Sequence, residues 1–172
     1  PKVLGLFGRG WKASAHLEFL AAQYAFDQIK VFSPNQEHCR EFCRSMSEKL
    51  GREVRAVATP KEAVDGSDFV QAATAAWDPV FDGHWVAKGM YVASIGGSDA
   101  SNKRREIDDE TIRRADVYFV HSKEVARNDQ SPDVWEAAQK GIVRWEDIGE
   151  LQDLVAGKLP GRTSADQITL FN

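Results

Sequence analysis

Short apolar runs alternate with longer amphipathic stretches along this chain, and the alternation predicts strands and helices in turn. Val3 to Phe7 is an unbroken run of strand length. Lys12 to Phe26 then carries apolar residues at helical spacing, with Ala15, Leu17, Leu20, Ala21, Tyr24 and Ala25 as the stripe expected to face a core. Ile29 to Ser33 is a second strand, closed by a turn at Pro34-Asn35, and the helix after it spans Glu37 to Leu50 and stops at Gly51. Val54 to Ala58 is a third strand, and Thr59-Pro60 caps a short helix through Val64. Phe69 to Ala73, Tyr91 to Ile95 and Val117 to Val120 are further strands, with an amphipathic helix at Asp108 to Arg114 before the last. The tail offers a helix around Ser131 to Lys140, a short strand Ile142 to Trp145 and a helix near Ile148 to Val155. Continuously apolar strands separated by helices are the mark of a parallel sheet covered on both faces. The expected fold is therefore α/β, a Rossmann-type doubly wound, mostly parallel sheet with helices on both faces and right-handed connections.

The join between the first strand and its helix adds chemistry. Gly8-Arg9-Gly10-Trp11-Lys12-Ala13 is a Gly-x-Gly-x-x-Ala turn that follows a strand and opens a helix. Gly8 permits the tight turn, Gly10 lets backbone approach a pyrophosphate, and Ala13 lets the helix pack closely on the sheet. The helix N-terminus then presents free N–H groups and partial positive charge to phosphates.

Composition narrows the class. At 172 residues the chain is about one domain, and a net charge of −4 argues against nucleic-acid or anionic-membrane partners. No apolar stretch approaches the roughly 18 residues of a membrane span, no signal peptide leads the chain, and a cytoplasmic location is the default expectation. Cys39 and Cys43 lie one helical turn apart and are expected to be reduced core thiols, and no histidine spacing suggests a metal site. The start inside a strand and the stop in the apolar run Ile168 to Asn172 suggest one domain, residues 1–172, cut from a longer protein.

In doubly wound sheets ligands lie beyond the carboxyl ends of the strands, so strand ends are the places to look for chemistry. Ser33, followed by Pro34, Asn35 and Gln36, puts no carboxylate where NAD-preferring sites bond the ribose 2′-hydroxyl. This favours NADP(H) over NAD(H), with Arg9 as a counter-charge for phosphate and Ser33 with Asn35 expected to line the adenosine ribose. Thr74 supplies the hydrogen-bonding side chain after the fourth strand and is equally suited to a local turn. Ile95 and Gly96 end the fifth strand and are expected to border a nicotinamide. Asp99 beyond them could exchange a proton with an amine or imine, although an isolated Asp in such a loop is as readily an Asx-turn residue. Glu106 to Glu110 is most simply a charged first helical turn favoured by the helix dipole. Trp77 and Trp85 flank Asp78-Pro79-Val80 as packing or lid residues, and His121 is a loop or packing residue.

Taken together, these residues resemble the ornithine cyclodeaminase/mu-crystallin family. The likeness runs through Gly8 to Ala13 with His16-Leu17-Glu18, Ile29 to Ser33, Ala73-Thr74 before Asp78-Pro79-Val80, and Ser94-Ile95-Gly96. It continues through Arg105-Glu106-Ile107-Asp108, Arg114 to Val117, and the stretch from Glu150-Leu151 to Phe171. The resemblance implies a two-domain homodimer of which this chain is the central nucleotide-binding domain, with the dimer made through segments missing here. It also implies NAD(H) or NADP(H) chemistry on a small amino-acid, imine or keto-acid substrate. The catalytic carboxylate it implies is Asp99, with Lys103 following in a Gly-x-Asp-x-Pro-Gly-Lys type segment. Departures are Lys12 in place of the family's frequent Gln, Ser101-Asn102 in place of Pro-Gly, one extra residue before Glu106, and His121 where many members have Asp. Ser33 departs from the acidic residue of the cyclodeaminases themselves. The expected function is that of an amino-acid dehydrogenase or ketimine/imine reductase. A cyclodeaminase converting ornithine to proline and a crystallin-like NADPH binder without turnover stand as alternatives.

Overall fold

A computed structural model describes residues 1–96 and 101–172. Gly97, Ser98, Asp99 and Ala100 lie outside the described residues, and with them the expected catalytic carboxylate.

Among the described residues, eight strands form a single parallel sheet. They are β1 (Val3–Phe7), β2 (Gln28–Phe32), β3 (Arg55–Ala56), β4 (Phe69–Ala72), β5 (Tyr91–Ser94), β6 (Val117–Val120), β7 (Ile148–Glu150) and β8 (Thr169–Phe171). Their spatial order is β3-β2-β1-β4-β5-β8-β6-β7. The helices are α1 (Trp11–Gln23), α2 (Gln36–Leu50), α3 (Pro60–Val64), α4 (Asp109–Arg114), α5 (Lys123–Asn128), α6 (Ala137–Gln139) and α7 (Leu151–Val155).

Side-chain alternation along β1 divides the core in two. Leu4 and Leu6 point to one face, where α1 and α2 bury Ala13, Leu17, Leu20, Cys39, Cys43 and Met46 on the sheet. Phe7 points to the other and joins Val70, Val92, Ile107, Ile112 and Leu170. Burial pushes both thiols up, Cys43 to about 12, so they serve as small apolar core residues.

Local signals placed the caps of α2 and α3. Asn35 Oδ1 accepts the amide of His38 at the start of α2, Gly51 ends that helix in the left-handed region, and Thr59 caps α3. The expected buried stripe of α1 is narrower than its spacing suggests. The helix ends at Gln23, Tyr24 turns extended, and Ala15, Tyr24 and Ala25 are exposed while Phe26 enters the core from the following turn.

The tail departs most from expectation. Residues 142–145 form no strand: Ile142, Val143 and Trp145 pack against the core as an irregular segment and a 3₁₀ turn. The strand is β7, in the stretch expected to begin a helix, because β6 offers Tyr118 to Val120 an open edge that Ile148 to Glu150 fills. The final apolar run is β8, inserted between β5 and β6. The helix expected from Ser131 opens instead on a π-type turn over Pro132–Glu136, and α5 before it is capped by Ser122.

Candidate functional site

Strand order reverses between β1 and β4, and the carboxyl ends of β1, β2 and β4 frame a cleft of about 850 Å³ there. Gly8, Arg9, Gly10, Trp11, Lys12, Ser33 and Thr74 all line it. Seven residues chosen from sequence are thus brought to one place by the fold.

The turn is built as its spacing requires. Gly8 has φ 108°, its N–H donates to the Phe32 carbonyl at 3.0 Å, and a Cβ there would overlap the Ala73 carbonyl. A Cβ on Gly10 would meet nothing within 4 Å, so packing within the chain does not account for that glycine. Gly10 is the N-cap of α1, where no side chain caps the helix and no acidic residue sits in the first turn. The first amides of this helix therefore face the cleft without a side-chain partner among the described residues, with the positive end of the helix dipole behind them. Ala13 does not line the cleft; it is fully buried and seats α1 on the sheet.

Among the described residues the lining of the cleft is predominantly positive, with Arg9, Lys12 and Arg104 against Asp78. Arg104 stacks its guanidinium 5.3 Å from the ring centroid of Trp77, which is 60% exposed at the rim. Ser33 is buried at the end of β2, and Pro34 follows it along the wall. Asn35 does not join them, because its side chain is committed to capping α2.

Ile95 and Gly96 lie at the end of β5 and line a smaller cavity of about 290 Å³ shared with His121, Ser122, Ser131 and Asn172. Lys103 pairs with Glu136 on the π-type turn. Between the cleft and this smaller cavity stands Glu106, which sequence reasoning assigns to a charged helical turn. The structure corrects that assignment. Asp108 is the N-cap of α4, whose first turn holds Asp109 and Glu110, and Glu106 before it is 1% exposed.

Among the described residues, five donors converge on the Glu106 carboxylate. Oε1 accepts the Thr74 amide and, at 2.7 Å, the Thr74 hydroxyl. Oε2 accepts the Ser94 hydroxyl at 3.0 Å, the Ile95 amide at 3.0 Å and the Gly96 amide at 2.6 Å. The Glu106 carbonyl also accepts the Val80 amide at 3.0 Å. Thr74 Oγ1 in turn accepts the Ala76 amide at 3.1 Å, the local turn that its position allows.

A second buried carboxylate lies behind. Asp133 accepts from Arg105 Nε at 2.8 Å, and Arg105 also pairs with Asp109. Burial pushes the Asp133 carboxyl up to about 7, against the hydrogen bond and charge of Arg105, which pull it down.

The model of the ornithine cyclodeaminase/mu-crystallin family matches residues 1–172. Mouse ketimine reductase mu-crystallin is 29% identical over 170 residues, 98% of this chain and 49% of that protein. Thermococcus litoralis Δ1-pyrroline-2-carboxylate reductase, solved with NADH and L-proline, superposes with a TM-score of 0.90 at 32% identity, over 99% of this chain and 52% of that one. An archaeal alanine dehydrogenase dimer with bound NAD gives 0.85 at 26% identity, over 99% and 51%. The chain spans about half the length of the relatives it matches. It belongs to the ornithine cyclodeaminase/mu-crystallin family.

Proposed function

We propose that this chain is the NAD(P)-binding domain of an amino-acid dehydrogenase or ketimine/imine reductase. The observation that carries the reading is the β1–α1 turn, where a glycine with an open Cβ position precedes an uncapped helix N-terminus at the reversal of strand order. Relatives bound to NADH or NAD support the same cofactor class.

The residues fit a dinucleotide in a definite order along the cleft. Gly8, Gly10 and the amides of Trp11 and Lys12 hold the pyrophosphate. Ser33 lines the adenosine ribose and Arg9 offers charge to a 2′-phosphate. With no carboxylate at the end of β2, the cleft favours NADP(H) over NAD(H). Thr74 borders the nicotinamide end of the cleft, with Ile95 and Gly96 beyond it on the smaller cavity. When bound, the cofactor supplies a hydride donor or acceptor for a substrate Cα. Asp99 takes or returns the proton of the substrate amine. A homodimer is the assembly in which the whole protein works, a reading supported by the archaeal alanine dehydrogenase relative being a dimer.

The test uses the full-length polypeptide with both cofactors and a panel of amino acids, cyclic imines and keto acids with amines. Turnover of one substrate class is expected. Asp99→Asn should lower kcat by about 100-fold or more, the scale of a lost general acid–base, with cofactor affinity unchanged. Loss of cofactor binding in that variant would remove Asp99 from this role. Cofactor binding with no turnover of any substrate would favour a crystallin-like binder.

A further inference from the structure

We propose that Glu106 is the positioning residue of the nicotinamide half of the cleft, and that it leaves the adenosine half to the β1–α1 turn. The inference rests on the dinucleotide reading above and assigns a task within it to a residue that no motif for cofactor binding includes.

Parallel strands leave backbone donors unmet where their ladder ends. At the carboxyl ends of β4 and β5 the ladder runs out: the Ile95 amide makes its last bond, to the Ala72 carbonyl at 3.2 Å, and the amides of Thr74 and Gly96 have no backbone acceptor among the described residues. One carboxylate accepts all three, together with the hydroxyls of Thr74 and Ser94. Every bonded partner of the Glu106 carboxylate among the described residues is a donor, and none carries a formal charge. A buried charge tolerated on these terms needs all its hydrogen bonds, which makes the arrangement stiff. A neutral amide could not replace it, since one of its two polar atoms donates and would face either the Thr74 pair or the Ser94–Gly96 trio.

Two further features hold Glu106 in place. Its own carbonyl takes the Val80 amide, so the Trp77–Val80 rim of the cleft hangs from the same residue. Ile107, next in the chain, is fully buried, and Asp108 caps α4 while accepting the Gly83 amide at 2.9 Å. On the other side, a Cβ on Gly96 would come within 2.7 Å of Glu106 Cγ, so glycine at that position is what admits the carboxylate.

The hydrogen bonds of Glu106 among the described residues all go to the Thr74, Ser94–Gly96 and Val80 segments. None goes to Gly8–Ala13 or Ser33, which line the other half of the cleft. Glu106 thus fixes the large cleft relative to the smaller cavity beside it, which Ser94, Ile95 and Gly96 line. Its influence should fall on the part of a dinucleotide that reaches the β4 and β5 exits.

Calorimetric titration of the wild type and Glu106→Gln with ADP-ribose, which lacks nicotinamide, and with NADH and NADPH tests this split. The variant should hold ADP-ribose within about twofold of the wild type and lose about tenfold or more for both complete dinucleotides, the cost of buried donors left facing a donor. Equal loss for all three ligands would make Glu106 a purely structural residue and overturn the proposal, as would no loss for any. If Glu106→Gln does not fold, Ser94→Ala removes one donor and keeps the carboxylate. It should show the same split at about threefold, and an unchanged ratio would overturn the proposal. A wild type that binds none of the three ligands would instead overturn the dinucleotide reading itself.

Discussion

At Gly8 and Gly10 two glycines two residues apart do different jobs, and the difference can be measured. Gly8 sits at φ 108° under the Ala73 carbonyl, so Gly8→Ala must adopt a strained backbone and move a neighbouring strand end. Together these should cost about 2–4 kcal/mol and lower the melting temperature by roughly 5–10 °C. Gly10 has φ −82° and open space where a Cβ would go, so Gly10→Ala should leave the melting temperature nearly unchanged while weakening dinucleotide binding about tenfold. Thermal melts with and without cofactor separate the two outcomes, and equal effects on stability would contradict the assignment. As residues lining one cleft, Gly8 and Gly10 were legible from the Gly-x-Gly-x-x-Ala spacing, and Ser33 and Thr74 from their positions at strand ends. Glu106 was not, because its donors come from Thr74 and Ser94–Gly96, which only the sheet brings to it. Locally it looks like one more acid before Asp108, Asp109 and Glu110, and its place in the family resemblance was the available signal.

Among the elements, the early strands and helices follow their pattern and caps closely, while those after β6 do not. β7 and β8 are three residues each, too short for periodicity to register, and they exist because neighbouring edges are open to them. The π-type turn at Pro132–Glu136 likewise has no local signature. It carries Asp133 to Arg105 and lets the Tyr118 hydroxyl donate to the Asp133 carbonyl at 2.9 Å. This element has a pH signature. Burial raises the Asp133 carboxyl from its ordinary 3.8 to about 7, so in that window the native state keeps a proton that the unfolded chain has released. Stability from this group is therefore full below about pH 4 and is lost as pH rises toward 7. Asp133→Asn, which cannot ionise, removes the dependence. The melting temperature of the wild type minus that of the variant should fall by several degrees between pH 4 and 8, and a flat difference would contradict the account.

Across the whole molecule, the alternation of strands and helices was enough to name a doubly wound sheet, and the order β3-β2-β1-β4-β5-β8-β6-β7 supplies what the alternation lacks. The order places the reversal between β1 and β4, and that reversal turns separate strand ends into one cleft with Arg9, Lys12 and Arg104 around it. The central claim is that this cleft holds a nicotinamide dinucleotide. Fluorescence titration of the protein with NADPH and NADH tests it most directly. The account predicts saturable binding of both at micromolar or lower concentrations, NADPH the tighter, with competition by ADP-ribose. Tighter binding of NADH would defeat the argument from Ser33 and Arg9, and binding of neither cofactor would contradict the account as a whole.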